Sequence, residues 1–252
     1  MTEIILAPPP LDMDTELERL ARRYKGAGGV GIQLLNTLGT RADGLLDRLP
    51  APVRDQLNGA TQAALAQAMN AASGSRRVMP DQAEWLNTAV STAMGAAGGF
   101  GGLPTALAEL PVTTTLLLRV IEGVAVEHGF DATAESVRFD CVQVFAAAGP
   151  LDHDDGADLA FLSARVALSG AAVQAIVARV APRLAVVMGQ KLAAQTVPVL
   201  GAVAGAAVNY AYTSYYTDMA HVHFGLRRLA IDADLDQEAV LERLKAQVLA
   251  LT

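Results

Sequence analysis

Two long segments without a charged residue constrain the fold of this chain more than any other feature. Residues 85–108 and 192–217 contain no Asp, Glu, Lys or Arg. A transmembrane helix needs about 20 mostly apolar residues, so both segments are long enough to span a bilayer. Neither is convincingly apolar, because Ala and Gly supply little insertion energy. The pattern leaves open tight packing in a helical core, or a hairpin that meets lipid or encloses an apolar ligand.

Glycines spaced four residues apart recur in both segments. Small residues at this spacing allow two helix backbones to approach closely. We therefore predict helix–helix contacts at Gly95, Gly98, Gly99, Gly102, Gly201 and Gly205.

Composition excludes several classes of protein. The chain is 52% hydrophobic and 18% charged, which is too apolar for a disordered protein. A single cysteine, Cys141, excludes a disulfide framework and predicts a buried thiol in a reducing compartment. The net charge of −7 argues against nucleic acid as a partner. The first ten residues lack a secretory signal, so we expect the bacterial cytoplasm or the inner face of the membrane.

Helical periodicity dominates the chain, with no sustained strand alternation, and predicts an all-α fold. We expect one compact multi-helix domain over residues 14–252, with two central Gly/Ala-rich uncharged helices, after an N-terminal arm at 1–13. The first helix begins after Asp12 or Asp14. The later predicted helices include 111–127, with Pro111 at its first position and Gly129 as its stop, then 132–148 and 236–251.

No complete catalytic or metal motif is present, so we expect neither a cofactor nor a metal. His221 and His223 are two residues apart, and on a helix such side chains point in different directions and cannot share one metal ion. The acidic segment 152–158 does not match a calcium loop and is better explained as a solvated turn.

Two groups of polar residues could bind a ligand. Arg119 lies in a run of Thr and Leu, where a guanidinium pairs with a carboxylate such as Glu122 or reaches an anion. Asn209, Thr213 and Tyr216 fall on one helix face, which could hydrogen-bond a ligand or another helix.

Two blocks of sequence resemble the EcsC family of bacterial proteins. The first is GGFGGLPT at 98–105 followed by LPVTTTLLLRVIEGVAVEHGFD at 110–131, and the second is QKLAAQTVPVLGAVAGAAVN at 190–209. The similarity extends over roughly residues 15–230. It brings no established activity and no assigned catalytic residue. The positions that match the family pattern are Arg119, Lys191, Gln195, Asn209 and Thr213.

Our first hypothesis is a non-enzymatic helical protein that binds an apolar or lipid-like ligand at or near the membrane. Its predicted ligand-binding residues are the five signature positions together with Tyr216 and His221. The second hypothesis is an accessory protein that docks on a membrane transporter or on a second copy of itself. The third is an enzyme acting around Arg119 and His221.

Overall fold

A computed structural model describes residues 12–27, 29, 84–100, 102–146 and 198–251. These residues form helices and connecting turns with no strand among them, which confirms the all-α prediction. The helices are α1 (Met13–Gly26), α2 (Glu84–Phe100), α3 (Gly102–Glu127), α4 (Glu135–Ala146), α5 (Pro198–Asp232) and α6 (Gln237–Ala250).

The first helix follows its sequence pattern closely. The Asp12 carboxylate caps α1 by accepting hydrogen bonds from the backbone N–H groups of Asp14 and Thr15. The buried residues of α1 are Leu17, Leu20 and Ala21, as their helical spacing predicts. The predicted start of this helix after Asp12 is therefore confirmed.

The prediction that a helix begins at Pro111 is wrong. Helix α3 begins at Gly102, and Pro104 lies in its first turn, where a missing N–H group has little cost. Pro111 lies inside the helix. The glycine-rich residues 95–100 form the end of α2. Packing of this helix against α5 outweighs the weak intrinsic propensity of glycine.

The predicted stop at Gly129 is confirmed. Gly129 has a φ of 81°, and its N–H donates to the Val126 carbonyl at 2.8 Å. The Phe130 N–H donates to the Ala125 carbonyl at 3.0 Å, which completes a Schellman motif at the end of α3. The motif leaves His128 as the last residue before the turn.

Helix α5 is the centre of the described part of the molecule. It packs against each of the other five helices, and its most extensive contact is with α2. The large buried side chains of the core lie mostly around its C-terminal half, where they meet α1, α3, α4 and α6. Within the described ranges, no helix is both long enough and apolar enough to cross a bilayer.

Candidate functional site

The structure corrects the prediction of two uncharged helices, because residues 85–108 are divided between α2 and α3, and α5 continues past residue 217 into charged residues. Helices α2 and α5, which contain most of the two uncharged segments, touch through their backbones at one pair of glycines. Gly95 of α2 and Gly205 of α5 are both buried. A Cβ atom added to Gly95 would lie 2.7 Å from the carbonyl carbon of Gly205, and one added to Gly205 would lie 2.9 Å from that of Gly95. Real Cβ atoms are not found so close to a backbone. The contact therefore closes any channel between α2 and α5 at this point.

Three buried polar residues lie beside this crossing. The Asn209 side-chain amide donates to the Ser91 carbonyl, and the Thr213 hydroxyl donates to the Ser91 hydroxyl, both at 2.8 Å. As α2 advances from Ser91 to Gly95, its partner on α5 retreats from Asn209 to Gly205, so the helices are antiparallel. Asn209 and Thr213, predicted as ligand-binding residues, thus bind the neighbouring helix.

Tyr216 is directed at a different helix. Its hydroxyl donates to the Phe145 carbonyl at 3.2 Å, and its ring stacks on the Phe145 ring with 5.1 Å between centroids. Phe145 lies in the last turn of α4, where the backbone carbonyl groups find no N–H donor within the helix. Tyr216 therefore caps α4, although it shares a face of α5 with Asn209.

An open groove of about 760 Å³ runs beside the α2–α5 crossing. Thr88 and Ala96 mark its extent along α2, and their separation of eight residues corresponds to about 12 Å. We call it the α2–α5 groove. Its lining residues come from α1, α2 and α5 and are Arg23, Thr88, Ala89, Thr92, Ala93, Ala96, Tyr210, Ser214, Thr217 and Asp218.

The walls of the groove combine small apolar residues with hydroxyl groups. The hydroxyl of Thr92 donates to the Thr88 carbonyl at 2.7 Å, and that of Thr217 donates to the Thr213 carbonyl at 2.8 Å. Both hydroxyls donate their proton to a carbonyl of their own helix, and each hydroxyl oxygen can still accept a hydrogen bond from a ligand. Tyr210, 42% exposed, and Ser214 add two more hydroxyls to the wall.

One end of the groove holds an ion pair. The Arg23 Nε donates to the Asp218 Oδ1 at 3.0 Å, and both side chains are about three-quarters buried. Arg23 comes from the last turn of α1 and Asp218 from α5. Because α2 and α5 are antiparallel, this end lies away from the glycine crossing and towards the beginning of α2.

A second polar cluster lies where α3 ends against α5. His128 Nε2 is 3.1 Å from His221 Nδ1, and His221 Nε2 is 3.9 Å from a Glu127 carboxylate oxygen. Burial is the main cause that lowers the pKa of His128 to about 4, and the neighbouring His221, Arg19 and Arg23 lower it further. His128 is therefore neutral at pH 7.

The two histidines of α5 face different partners, as their spacing predicts. His221 meets His128, whereas His223 Nε2 lies 3.6 Å from Asp140 of α4, which also pairs with Arg227. His221 presents opposite ring nitrogens to His128 and Glu127, so these three residues cannot surround one ion. Among the described residues, no group of three or more His, Cys, Asp or Glu side chains is arranged to hold a metal.

Arg119 and His221 are not brought together. His221 contacts Glu127, which is eight residues or about 12 Å further along α3 than Arg119. Neither residue lines the α2–α5 groove. Arg119 is half-buried and Glu122 is buried, and their predicted pairing stays a prediction. This geometry gives no support to an enzyme that uses Arg119 and His221 together.

Several other predictions fall where no side-chain environment is described. Lys191, Gln195 and the acidic segment 152–158 lie outside the described residues. Helices α2, α3 and α5 contain the remaining predicted contact glycines, whose surroundings are likewise not described: Gly98, Gly99, Gly102 and Gly201.

Comparison with known protein families identifies the chain. A model of the EcsC protein family matches residues 45–229, about three-quarters of the sequence. The chain belongs to the EcsC protein family. Searches of curated proteins and of solved structures found no match. The EcsC match includes α2, α3, α4 and nearly all of α5, and excludes α1 and α6.

The groove of this EcsC protein is therefore lined by residues from inside and from outside the region that the family model matches. Its α2 and α5 walls lie inside the matched region, and Arg23 lies before it. Sequence reasoning missed Ser91, Arg23 and Asp218. Ser91 had a local signal, because Ser91/Gly95 and Gly205/Asn209 repeat the same four-residue spacing on two helices. The pairing of Arg23 with Asp218 joins residues 195 positions apart and has no local signal.

Proposed function

We propose that this EcsC protein is a non-enzymatic binding protein that holds an amphipathic, lipid-like molecule in the α2–α5 groove. The observation that carries the proposal is the groove itself, about 760 Å³ in volume and lined by alanines, hydroxyls and one ion pair. Small-molecule sites typically occupy about 300–1,000 Å³, so the volume suits a ligand of that class.

The shape of the groove favours a chain-like ligand. Ala89, Ala93 and Ala96 fall on one face of α2 and supply a smooth apolar wall about 10 Å long. Apolar contact along this wall contributes about 25 cal/mol per Å² of surface removed from water. An alkyl chain of medium length lies along such a wall without needing directional contacts.

The ends of the groove differ in polarity, which favours an amphipathic ligand over a purely apolar one. The end beside Ala96 adjoins the closed glycine crossing, whereas the other end holds Arg23 and Asp218. A ligand with one apolar tail and one polar head matches this gradient. The inner face of the bacterial membrane, one of the two locations that we expect, is a source of such molecules.

Titration of purified protein with decanol, a neutral amphiphile, tests the proposal. The substitution Ala93→Phe fills the groove from a solvent-exposed position, and Ala97→Phe adds the same ring at an exposed position of α2 outside the lining. We expect wild-type protein to bind decanol, Ala93→Phe to weaken binding about tenfold, and Ala97→Phe to change it less than twofold. Absence of binding, or equal loss in both variants, would overturn the proposal.

Docking on a transporter or on a second copy of the chain is the second candidate function. The observation that favours it is the direct backbone contact at Gly95 and Gly205, because it closes any channel between α2 and α5 at this point. Pull-down from native membranes and native mass spectrometry separate the candidates. A co-purifying protein with no bound small molecule supports docking, and a co-purifying amphiphile supports the groove.

A further inference from the structure

We infer that the Arg23–Asp218 pair makes the α2–α5 groove selective for amphiphiles with an anionic head group, a carboxylate or a phosphate. The inference rests on the proposed function and adds the chemical class of the ligand. It also assigns a specificity role to α1, which lies outside the region matched by the EcsC family.

The position of the pair supports this assignment. Arg23 and Asp218 are the charged residues among those that line the groove, and both stand at the end remote from the glycine crossing. A tail lying along the alanines of α2 therefore brings its head to this pair. Partial burial strengthens the electrostatic contact there, because the local dielectric is lower than in bulk water.

The chemistry of the guanidinium favours an anion. Arg23 already binds a carboxylate oxygen at 3.0 Å, so the groove end contains the type of contact that a fatty-acid or phosphate head would make. A guanidinium has five N–H donors in a planar fork, which lets one arginine bridge two acidic groups. Ser214 lies one turn before Asp218 on the same face of α5, and its hydroxyl can donate to the same head.

The surroundings of the pair also favour an anion over a cation. The last turn of α1 contains Lys25 as well as Arg23, and no acidic residue lies between Arg19 and Gly26. Asp218 is a carboxylate that pairs with Arg23 at this basic end. It acts as an internal competitor for Arg23, and ligand binding requires the guanidinium to be shared or exchanged.

Opposite effects of two substitutions test the inference. Wild-type protein is titrated with decanoate, decanol and decylammonium, which share one tail and differ in head charge. We expect decanoate to bind about tenfold tighter than decanol, Arg23→Ala to abolish that difference, and Asp218→Asn to strengthen decanoate binding about threefold.

Two further variants control for the packing of α1. Arg22→Ala removes the neighbouring arginine, which is exposed and pairs with Glu18 instead of lining the groove, and should leave decanoate binding unchanged. Arg23→Lys keeps the charge without the fork and should give an intermediate affinity. Circular dichroism of each variant confirms that the helices are retained.

The outcomes separate this inference from the proposed function. Equal binding of decanoate and decanol, unaffected by Arg23→Ala, overturns the head-group assignment while groove binding stands. Preferential binding of decylammonium, or weaker decanoate binding in Asp218→Asn, also overturns it. Failure of all three amphiphiles to bind wild-type protein overturns the inference together with the proposed function.

Discussion

The two halves of α5 pack by different means. In the N-terminal half, Gly205 places its backbone directly on α2, and Asn209 adds a hydrogen bond. In the C-terminal half, large buried rings fill the space between helices, among them Tyr216 and Phe224. One helix thus uses close backbone approach at one end and buried side-chain surface at the other.

The two kinds of packing have different consequences, one for the stability of the fold and the other for the position of α2. Aromatic side chains bury large apolar areas and contribute most of the free energy of a core. A glycine crossing buries little side-chain surface, but it tolerates almost no displacement of the two helices. We conclude that the C-terminal half of α5 stabilises the fold, whereas the N-terminal half sets the position of α2 and hence the width of the α2–α5 groove.

The largest expected effect is in the aromatic half. Tyr216→Ala removes a buried ring that stacks on Phe145 and should lower the free energy of unfolding by about 4 kcal/mol. Tyr216→Phe removes only the hydroxyl that donates to the Phe145 carbonyl and should cost about 1 kcal/mol. Urea unfolding measures both. Similar losses in the two variants would show that the hydroxyl, and not ring packing, dominates at this position.

Alanine substitutions at glycines with different surroundings should destabilise the protein to different degrees. Gly95→Ala places a methyl group against the Gly205 backbone and should cost about 3 kcal/mol. Gly225→Ala meets the flexible end of Leu20 at 2.7 Å and should cost about 1 kcal/mol.

Gly123 provides the matched control for this series. It lies in α3 with nothing within 4 Å of its added Cβ, so Gly123→Ala should stabilise the protein by about 0.5–1 kcal/mol. Thermal unfolding of all three variants tests the order. A Gly95→Ala variant as stable as Gly123→Ala would mean that the helices separate at no cost, and the distinction between the halves would fail.

The histidine cluster adds a pH-dependent contribution in the C-terminal half. The pKa of His128 is lowered from 6.5 to about 4, mainly by burial and then by His221. Between these values the unfolded chain binds a proton that the folded chain does not, so stability falls as the pH drops from 6.5 towards 4. After allowance for solvent screening, the expected loss is about 1–2 kcal/mol.

Comparison with His128→Gln isolates this contribution. Unfolding free energies measured at pH 7 and pH 4.5 should differ by about 1 kcal/mol less in the variant than in wild-type protein. Parallel pH profiles for the two proteins would show that His128 does not titrate differently on folding.

The smallest expected effect is the coupling across the α2–α5 contact. Ser91→Ala and Thr213→Val each leave one polar group of a buried hydrogen bond unsatisfied, whereas the double variant removes both. The double-mutant cycle should give a coupling free energy of about 1 kcal/mol. Additive losses would indicate that this hydroxyl pair does not help to position α2.

Among the described helices, the features that sequence predicts correctly have local signals. The Asp12 cap, the Leu17 and Leu20 spacing and the Gly129 stop are all read within a few residues. The start of α3 was predicted wrongly, because proline is favoured in the first turn of a helix and both Pro104 and Pro111 satisfy that rule. Sequence periodicity predicts which face of a helix is buried, but it does not predict which other helix packs against that face.

The candidate site was less predictable for the same reason. Asn209 and Thr213 were identified as a polar face, yet the choice between a ligand and another helix depended on Ser91, more than 100 residues away. Arg23 lies next to Arg22 and close to Glu18 in sequence, a pattern typical of an exposed charged face of a helix. Its place in the groove follows from how α1 docks on α5, and no local pattern encodes that docking.

The docking of α1 also has a consequence for synthesis on the ribosome. Its partners are the C-terminal half of α5 and α6, and Asp14 contacts Arg243 at 2.8 Å across 229 positions of sequence. At a translation rate of about 5–20 residues per second, roughly 10–40 s separate the synthesis of α1 from that of its partners. Throughout this interval the apolar face formed by Leu17 and Leu20 lacks these two native partners, so it is exposed to chaperones and proteases until α6 has been synthesised.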